Sequence, residues 1–119
     1  TITSKQTLGD LVKLITHSER NIFPVIDKHN NFVGVVNLSD VKSLIFKPEL
    51  YDTVYISELM FIPEIILNSG DKMSVIVEKF KNTNIYNLPI VEDGKYLGFI
   101  SRANVFSAYR ELLQEFSVE

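Results

Sequence analysis

One stretch of this chain occurs twice. Residues 22–41 read IFPVIDKHNNFVGVVNLSDV, and residues 85–105 read IYNLPIVEDGKYLGFISRANV. Pro24 and Pro89 stand 65 positions apart, and Gly34 and Gly98 stand 64 apart. The missing residue falls in the turn, where Lys28-His29-Asn30-Asn31 faces Asp93-Gly94. A hairpin tip is where a fold tolerates an insertion most easily. The match continues upstream: Leu8, Leu11, Val12 and Ile15 pair with Met73, Ile76, Val77 and Phe80 at the same spacing of 65. Two copies are too few for a solenoid, whose repeats need neighbours on both sides. They predict a pseudo-twofold pair that closes on itself.

The local signals give each copy the order strand, helix, strand, strand, helix. Asp93-Gly94 predicts a tight hairpin, because a type I′ turn needs positive φ at both central residues. Pro24 and Pro89 cannot donate to a ladder and are expected at the first residues of a strand or on an edge. Gly98, inside a strand, permits close approach of another backbone or a ligand. Ser101 offers a helix N-cap. Helices are expected at residues 4–16, 39–46, 71–81 and 102–116, with a single turn at residues 55–60 capped by Ser57. Strands are expected at residues 1–3, 22–26, 32–36, 65–67, 88–91 and 96–100. Pro48 ends the second helix, since the residue before proline avoids the helical region. The strands are near-continuous apolar runs, which predicts burial on both faces. The fold class is therefore α/β (α+β), with one repeat at residues 1–46, a linker at 47–62 and a second repeat at 63–119.

Composition bounds the partners. A net charge of −3 and a pI of about 5.4 leave no electrostatic case for nucleic acid, which is held by clustered Lys and Arg. The chain has no cysteine, so disulfides and thiolate chemistry are excluded. No apolar run approaches the roughly 20 residues of a membrane span, and there is no secretory signal pattern. The chain opens directly in an expected strand and reads as a piece of a longer protein.

Apolar-Pro-apolar-apolar, a turn, Gly-apolar-apolar and then Ser/Thr-x-x-Asp resembles the signature of the CBS (cystathionine-β-synthase) domain, which occurs as tandem pairs. Ile56-Ser57-Glu58-Leu59-Met60 is similar to the short element ahead of the second repeat in such pairs. Asn87-Leu88-Pro89, Gly98-Phe99-Ile100-Ser101-Arg102 and Phe106-Ser107-Ala108-Tyr109-Arg110, with the connector Phe46-Lys47-Pro48-Glu49-Leu50-Tyr51, resemble the cytoplasmic CBS pair of bacterial CLC-type chloride channels and transporters. That resemblance implies a cytoplasmic regulatory domain of a membrane protein, attached to a pore domain in the same chain. It implies a homodimer through the repeat helices, no enzymatic activity and no obligatory cofactor, with AMP, ADP or ATP as candidate ligands.

In that family a nucleotide lies between the repeats, with its ribose on the Asp of Ser/Thr-x-x-Asp and its phosphates near the Ser/Thr and the helix start. Both copies here depart from the pattern. Asn37-Leu38-Ser39-Asp40 keeps Asp40 but has Asn for Ser/Thr, and Ser101-Arg102-Ala103-Asn104 keeps Ser101 but has Asn for Asp. Asn104 can accept one hydroxyl without charge assistance, and Arg102 could meet a phosphate. Residues 20–23 and 85–88 would flank the base, Ile22 and Leu88 among them, with Tyr86 as a stacking aromatic. All of these have a plain alternative: Asn37 and Ser101 as helix caps, Asp40 and Asn104 as first-turn residues, and Tyr86 as a half-buried edge residue. His17 and His29 have no second ligand at metal spacing. Glu111 and Glu115 are an exposed helix pair, and Asn68-Ser69-Gly70-Asp71 is a turn and cap, not a phosphate loop.

Three functions fit these residues: the regulatory module of a chloride transport protein, a structural dimerisation module that binds nothing small, and the regulatory pair of a soluble nucleotide-metabolising enzyme. For dimerisation, the apolar faces Val41, Leu44, Ile45 and Val105, Tyr109, Leu112, Leu113, Phe116 are expected to meet a twin.

Overall fold

The computed structural model describes residues 2–83 and 85–117, with the side chains of Tyr109 and of residues 111–117 outside that description. The elements are α1 (Leu8–Thr16), β1 (Ile22–Ile26), β2 (Phe32–Asn37), α2 (Leu38–Val41), a 3-10 turn (Pro48–Leu50), α3 (Ile56–Leu59), β3 (Leu67–Asn68), α4 (Met73–Lys81), β4 (Asn87–Glu92), β5 (Lys95–Ser101) and α5 (Arg102–Ser117). They form two compact units, Thr1–Pro63 and Glu64–Glu119.

The two units have the same internal wiring. In the first, Ile2 bridges Val25 in parallel, and β1 runs antiparallel to β2 with Pro24 opposite Val35 and Val25 opposite Gly34. In the second, Leu67 of β3 pairs in parallel with Ile90, and β4 runs antiparallel to β5 with Pro89 opposite Phe99 and Ile90 opposite Gly98. Even the irregularity repeats: the register slips after Val25 in one hairpin and after Ile90 in the other. The second turn has φ of 50° at Asp93 and 80° at Gly94, the two positive values its sequence predicts. The longer first turn places Asn30 at φ 64° and is held by Asp27, whose carboxylate accepts from the His29 and Asn31 backbone N–H groups and from the Asn31 amide.

Four expectations are corrected. The prolines lie in the third place of central strands, not at strand starts or edges. Each is tolerated because the parallel neighbour starts only at the next residue, opposite Val25 or Ile90, so no ladder bond is asked of the proline. α1 begins at Leu8: Thr7 caps it, its Oγ1 accepting from the Asp10 N–H while the Asp10 carboxylate accepts from the Thr7 N–H. α2 is one turn, followed by turns rather than helix up to Phe46. Ser57 is not the cap of α3; Tyr55 is, and its N–H donates to the Glu58 carboxylate at 2.8 Å.

The linker is stitched to the first unit. Leu8 N–H donates to Val54 O, Gly9 N–H to Tyr51 O, and Ile56 N–H to Gln6 O. The Tyr51 hydroxyl donates to Ile45 O. Phe61 then adds an antiparallel bridge to β2, exchanging bonds of 2.8 and 2.9 Å with Val35. The first core gathers Ile2, Leu8, Leu11, Phe23, Val25, Val36, Val41 and Ile56; the second gathers Leu67, Val77, Phe80, Leu88 and Val105. Among the described residues no helix is long and apolar enough to cross a membrane.

Candidate functional site

In each unit the chain ties the residue ahead of the first hairpin strand to the start of the following helix. Leu38 N–H donates to Asn21 O at 2.8 Å, and Arg102 N–H donates to Tyr86 O at 2.8 Å. The caps differ. Asn37 Oδ1 accepts from the Ser39 N–H at 3.2 Å and from the Ser39 hydroxyl at 3.0 Å. Ser101 Oγ accepts from the Asn104 N–H at 3.2 Å. Thus both capping roles read from the sequence are present, and two first-turn N–H groups of each helix already have protein acceptors.

In the first unit this clip borders an open depression of about 370 Å³, lined by Asn21, Asn37, Leu38, Ser39, Lys42 and Ile45. That volume is within the range of roughly 300–1,000 Å³ typical of small-molecule sites. The lining includes the side-chain amides of Asn21 and Asn37, the Ser39 hydroxyl, apolar Leu38 and Ile45, and the Lys42 ammonium, which supplies the charge. Such a lining suits a small molecule with an apolar ring, hydroxyls and a negative group. Asp40 is exposed on the first turn of α2 and does not line the cavity. Ile22 is half-buried at the start of β1.

In the second unit Asn104 is exposed and Tyr86 is 75% exposed. Leu88 is fully buried in the core with Val77 and Phe80, so its side chain lies behind the ladder rather than on an open surface. Arg102 is engaged. One guanidinium nitrogen donates to Thr83 O at 2.8 Å and Phe80 O at 3.3 Å at the end of α4, and the group lies 5.4 Å from the centre of the Phe106 ring. The bond to Thr83 O satisfies a carbonyl just past the helix end, and the longer one adds to Phe80 O, which already accepts from the Thr83 N–H at 3.3 Å.

Sequence reasoning missed Lys42 and Ser39 as lining residues and placed Ile45 on a dimer face. Lys42 follows Ser39 by three positions, a spacing that puts two side chains on one side of a helical turn. Outside this site, Asp71 accepts from the Asn68 N–H at 2.9 Å and from Lys79 Nζ at 3.0 Å, and these two contacts hold its carboxyl below the usual carboxylate range. The hydrogen bonds from Asn31 do the same for Asp27. Among the described residues no cluster of three or more His, Cys, Asp or Glu could hold a metal.

The CBS domain model matches residues 1–47 and 56–111, so the chain belongs to the CBS domain family and carries two of its repeats. CBS-pair domains are generally regulatory rather than catalytic. Solved structures with the same fold include CBSX2 in complex with AMP, with 24% identity, a TM-score of 0.73, and 94% of this chain and 87% of that one covered. The CBS domain of a membrane protein from Sphaerobacter thermophilus is 19% identical, with a TM-score of 0.71 and coverage of 90% and 79%. The CBS pair of a magnesium transporter from Shewanella oneidensis is 17% identical, with a TM-score of 0.73 and coverage of 94% and 64%. A curated relative, homoserine O-acetyltransferase of Methanococcus vannielii, is 27% identical over 106 residues; the match takes in 88% of this chain but only 22% of that protein.

Proposed function

We propose that this CBS pair is the regulatory module of a chloride-channel-type transport protein and that it reads adenine nucleotide at the first unit's cavity. The observation that carries the reading is the joining of Asn21, Asn37, Ser39 and Lys42 around an opening of about 370 Å³. The AMP held by CBSX2, a protein of the same fold, supports it. Asp40 stands outside the cavity lining, so Asn37 and Lys42 are the proposed polar partners in the first repeat; Asn104 is the proposed ribose partner in the second, with Ser101, Arg102 and Tyr86 beside it. The site favours nucleoside and monophosphate over triphosphate. Two N–H groups of the first turn are already taken, and a four-residue helix has little dipole to offer an anion.

Calorimetric titration with AMP, ADP, ATP and S-adenosylmethionine tests this. AMP binds with the highest affinity, Lys42→Ala weakens binding at the first unit's cavity by roughly tenfold, and Asn104→Asp strengthens the second by roughly tenfold, the scale of a charge-assisted hydrogen bond worth about 1.5 kcal/mol. No heat and no thermal shift with any of the four would leave the structural dimerisation reading, in which sedimentation shows a homodimer built through the repeat helices. Tyr109, Leu112, Leu113 and Phe116 of that expected face lie outside the described side chains. A second reading has its own observation. The curated relative is an enzyme in which the matching region is a small part, which favours a regulatory pair within a soluble enzyme. The flanking sequence of the full-length protein distinguishes a pore domain from a catalytic one.

A further inference from the structure

A second depression of the first unit lies at the hairpin tip, the end of the β1–β2 ladder away from Asn37. It holds about 330 Å³ between the loop at residues 3–5 and the tip at residues 26–29. Both walls are fixed by the backbone. The Ile26 N–H donates to Ile2 O at 2.9 Å, the Thr3 N–H to Gln6 Oε1 at 2.8 Å and the Ser57 N–H to Ser4 O at 3.0 Å. A site held in this way spends little affinity on ordering itself. Its open groups are donors. Among the described residues the ammonium groups of Lys5 and Lys28 and the hydroxyls of Thr3 and Ser4 make no hydrogen bond or ion pair. The one carboxylate in the lining, Asp27, is already engaged: it accepts from the His29 N–H at 2.8 Å, the Asn31 N–H at 2.9 Å and the Asn31 amide at 3.0 Å. The second unit reverses this chemistry. Gly70, Glu92 and Asp93 stand 65 positions after Lys5, Asp27 and Lys28. Ser69 matches Ser4, but its hydroxyl donates to Glu92 Oε1 at 3.0 Å. The shared ladder therefore does not require the two lysines.

We infer that the depression between residues 3–5 and the first hairpin tip binds a phosphomonoester dianion. Two ammonium groups match its two negative charges, and a carboxylate would use only one of them. Its three terminal oxygens accept from the ammonium groups and from the Thr3 and Ser4 hydroxyls, all of which lack a protein acceptor. The Asp27 charge opposes an anion, but the three hydrogen bonds it accepts hold it to the hairpin tip and spread that charge over the backbone. The volume lies within the range of roughly 300–1,000 Å³ found for small-molecule sites, and Ile26 lends an apolar wall to the organic part of the ester. None of these residues belongs to the depression beside Asn37 and Lys42, so the two sites are tested separately.

Amide chemical shifts of the 119-residue chain, followed by NMR at an ionic strength held constant with sodium chloride, test this. One titration uses glycerol 3-phosphate, and a parallel one uses vesicles of phosphatidic acid in neutral lipid, which carry the same group on a membrane. The Ser4, Lys5, Lys28 and His29 amides shift along saturating curves, and the probe that saturates them says whether the ester is free or lipid-borne. Lys5→Ala and Lys28→Ala each weaken that binding by about three- to tenfold, the scale of one charge-assisted contact at an open site. Lys28→Asp, which puts the second unit's residue at the first unit's tip, abolishes it. In each variant the Val35 and Phe61 amides keep their positions, which shows that the ladder is intact. The inference is overturned if neither probe gives saturation, or if sodium chloride alone reproduces the shifts. It is equally overturned if the shifts centre on Asn37 and Lys42, or if the lysine variants bind as tightly as the parent chain.

Discussion

Among the described residues the first unit is closed by its own linker segment and the second unit contains no matching segment, although both share one pattern of residues. Leu8 and Leu11 are fully buried under Val54 and Ile56, whereas their counterparts Met73 and Ile76 are half-buried and the deepest residues of α4 are instead Val77 and Phe80. The same heptad of apolar positions thus serves two orientations of burial, and what selects between them is a segment that only one unit owns. Repeat symmetry in a sequence specifies the ladder; it does not specify what covers it.

Four pairs of substitutions break this comparison, in descending size. Phe80→Ala removes a fully buried ring and should cost about 3–5 kcal/mol, while its counterpart Ile15→Ala, at a half-buried position, should cost clearly less; urea melts of each give the difference. In the chain of 119 residues, Gly34→Ala forces a methyl against Phe61 O and should destabilise by about 1–3 kcal/mol. Gly98→Ala enters open space and should stabilise by about 0.5–1 kcal/mol through lower unfolded-chain entropy. Equal effects at the two glycines would remove the contrast.

Thr7→Ala should cost about 1 kcal/mol by dissolving the capping box, whereas Lys72, which holds the same N-cap place on α4 without a side-chain bond, should be replaceable at almost no cost. The smallest effect is one of pH. Gln6 and Asp71 occupy matching positions and accept from the matching N–H groups of Thr3 and Asn68, one neutral and the other charged. Because the folded state holds the Asp71 carboxyl below its unfolded value of 3.8, its contribution is complete above that value and is lost as pH falls through the folded pKa. Acid melts of Asp71→Asn should show a shallower loss below pH 4, with the remainder removed by Asp27→Asn at the other unit's hairpin tip.

Those pairs also show which parts of the fold were legible from residues alone. The duplicate, the hairpins and the Asp93-Gly94 turn rest on local chemistry, and the structure has them. The prolines were misplaced because propensity knows nothing of where a neighbouring strand begins. α2 was overextended because Val41, Leu44 and Ile45 keep a helical period, yet the Tyr51 hydroxyl draws Ile45 O into the linker and Pro48 follows closely. At the site, Asn37 and Ser101 were legible as caps because a cap acts within three residues. Lys42 and the clasp of Arg102 were not, since each depends on partners fixed by tertiary folding, in the latter case about twenty residues away.

That clasp makes the two units unequal as receivers of a signal. Arg102 stands beside a proposed phosphate position and at the same time closes the end of α4. A ligand that recruited the guanidinium would take the Arg102 donor from Thr83 O and leave Phe80 O with its backbone donor alone, and the ring contact with Phe106 would go with it. Binding of a ligand to Arg102 would therefore be linked to the fraying of α4, whereas Leu38, at the matching place in the first unit, has no guanidinium to recruit.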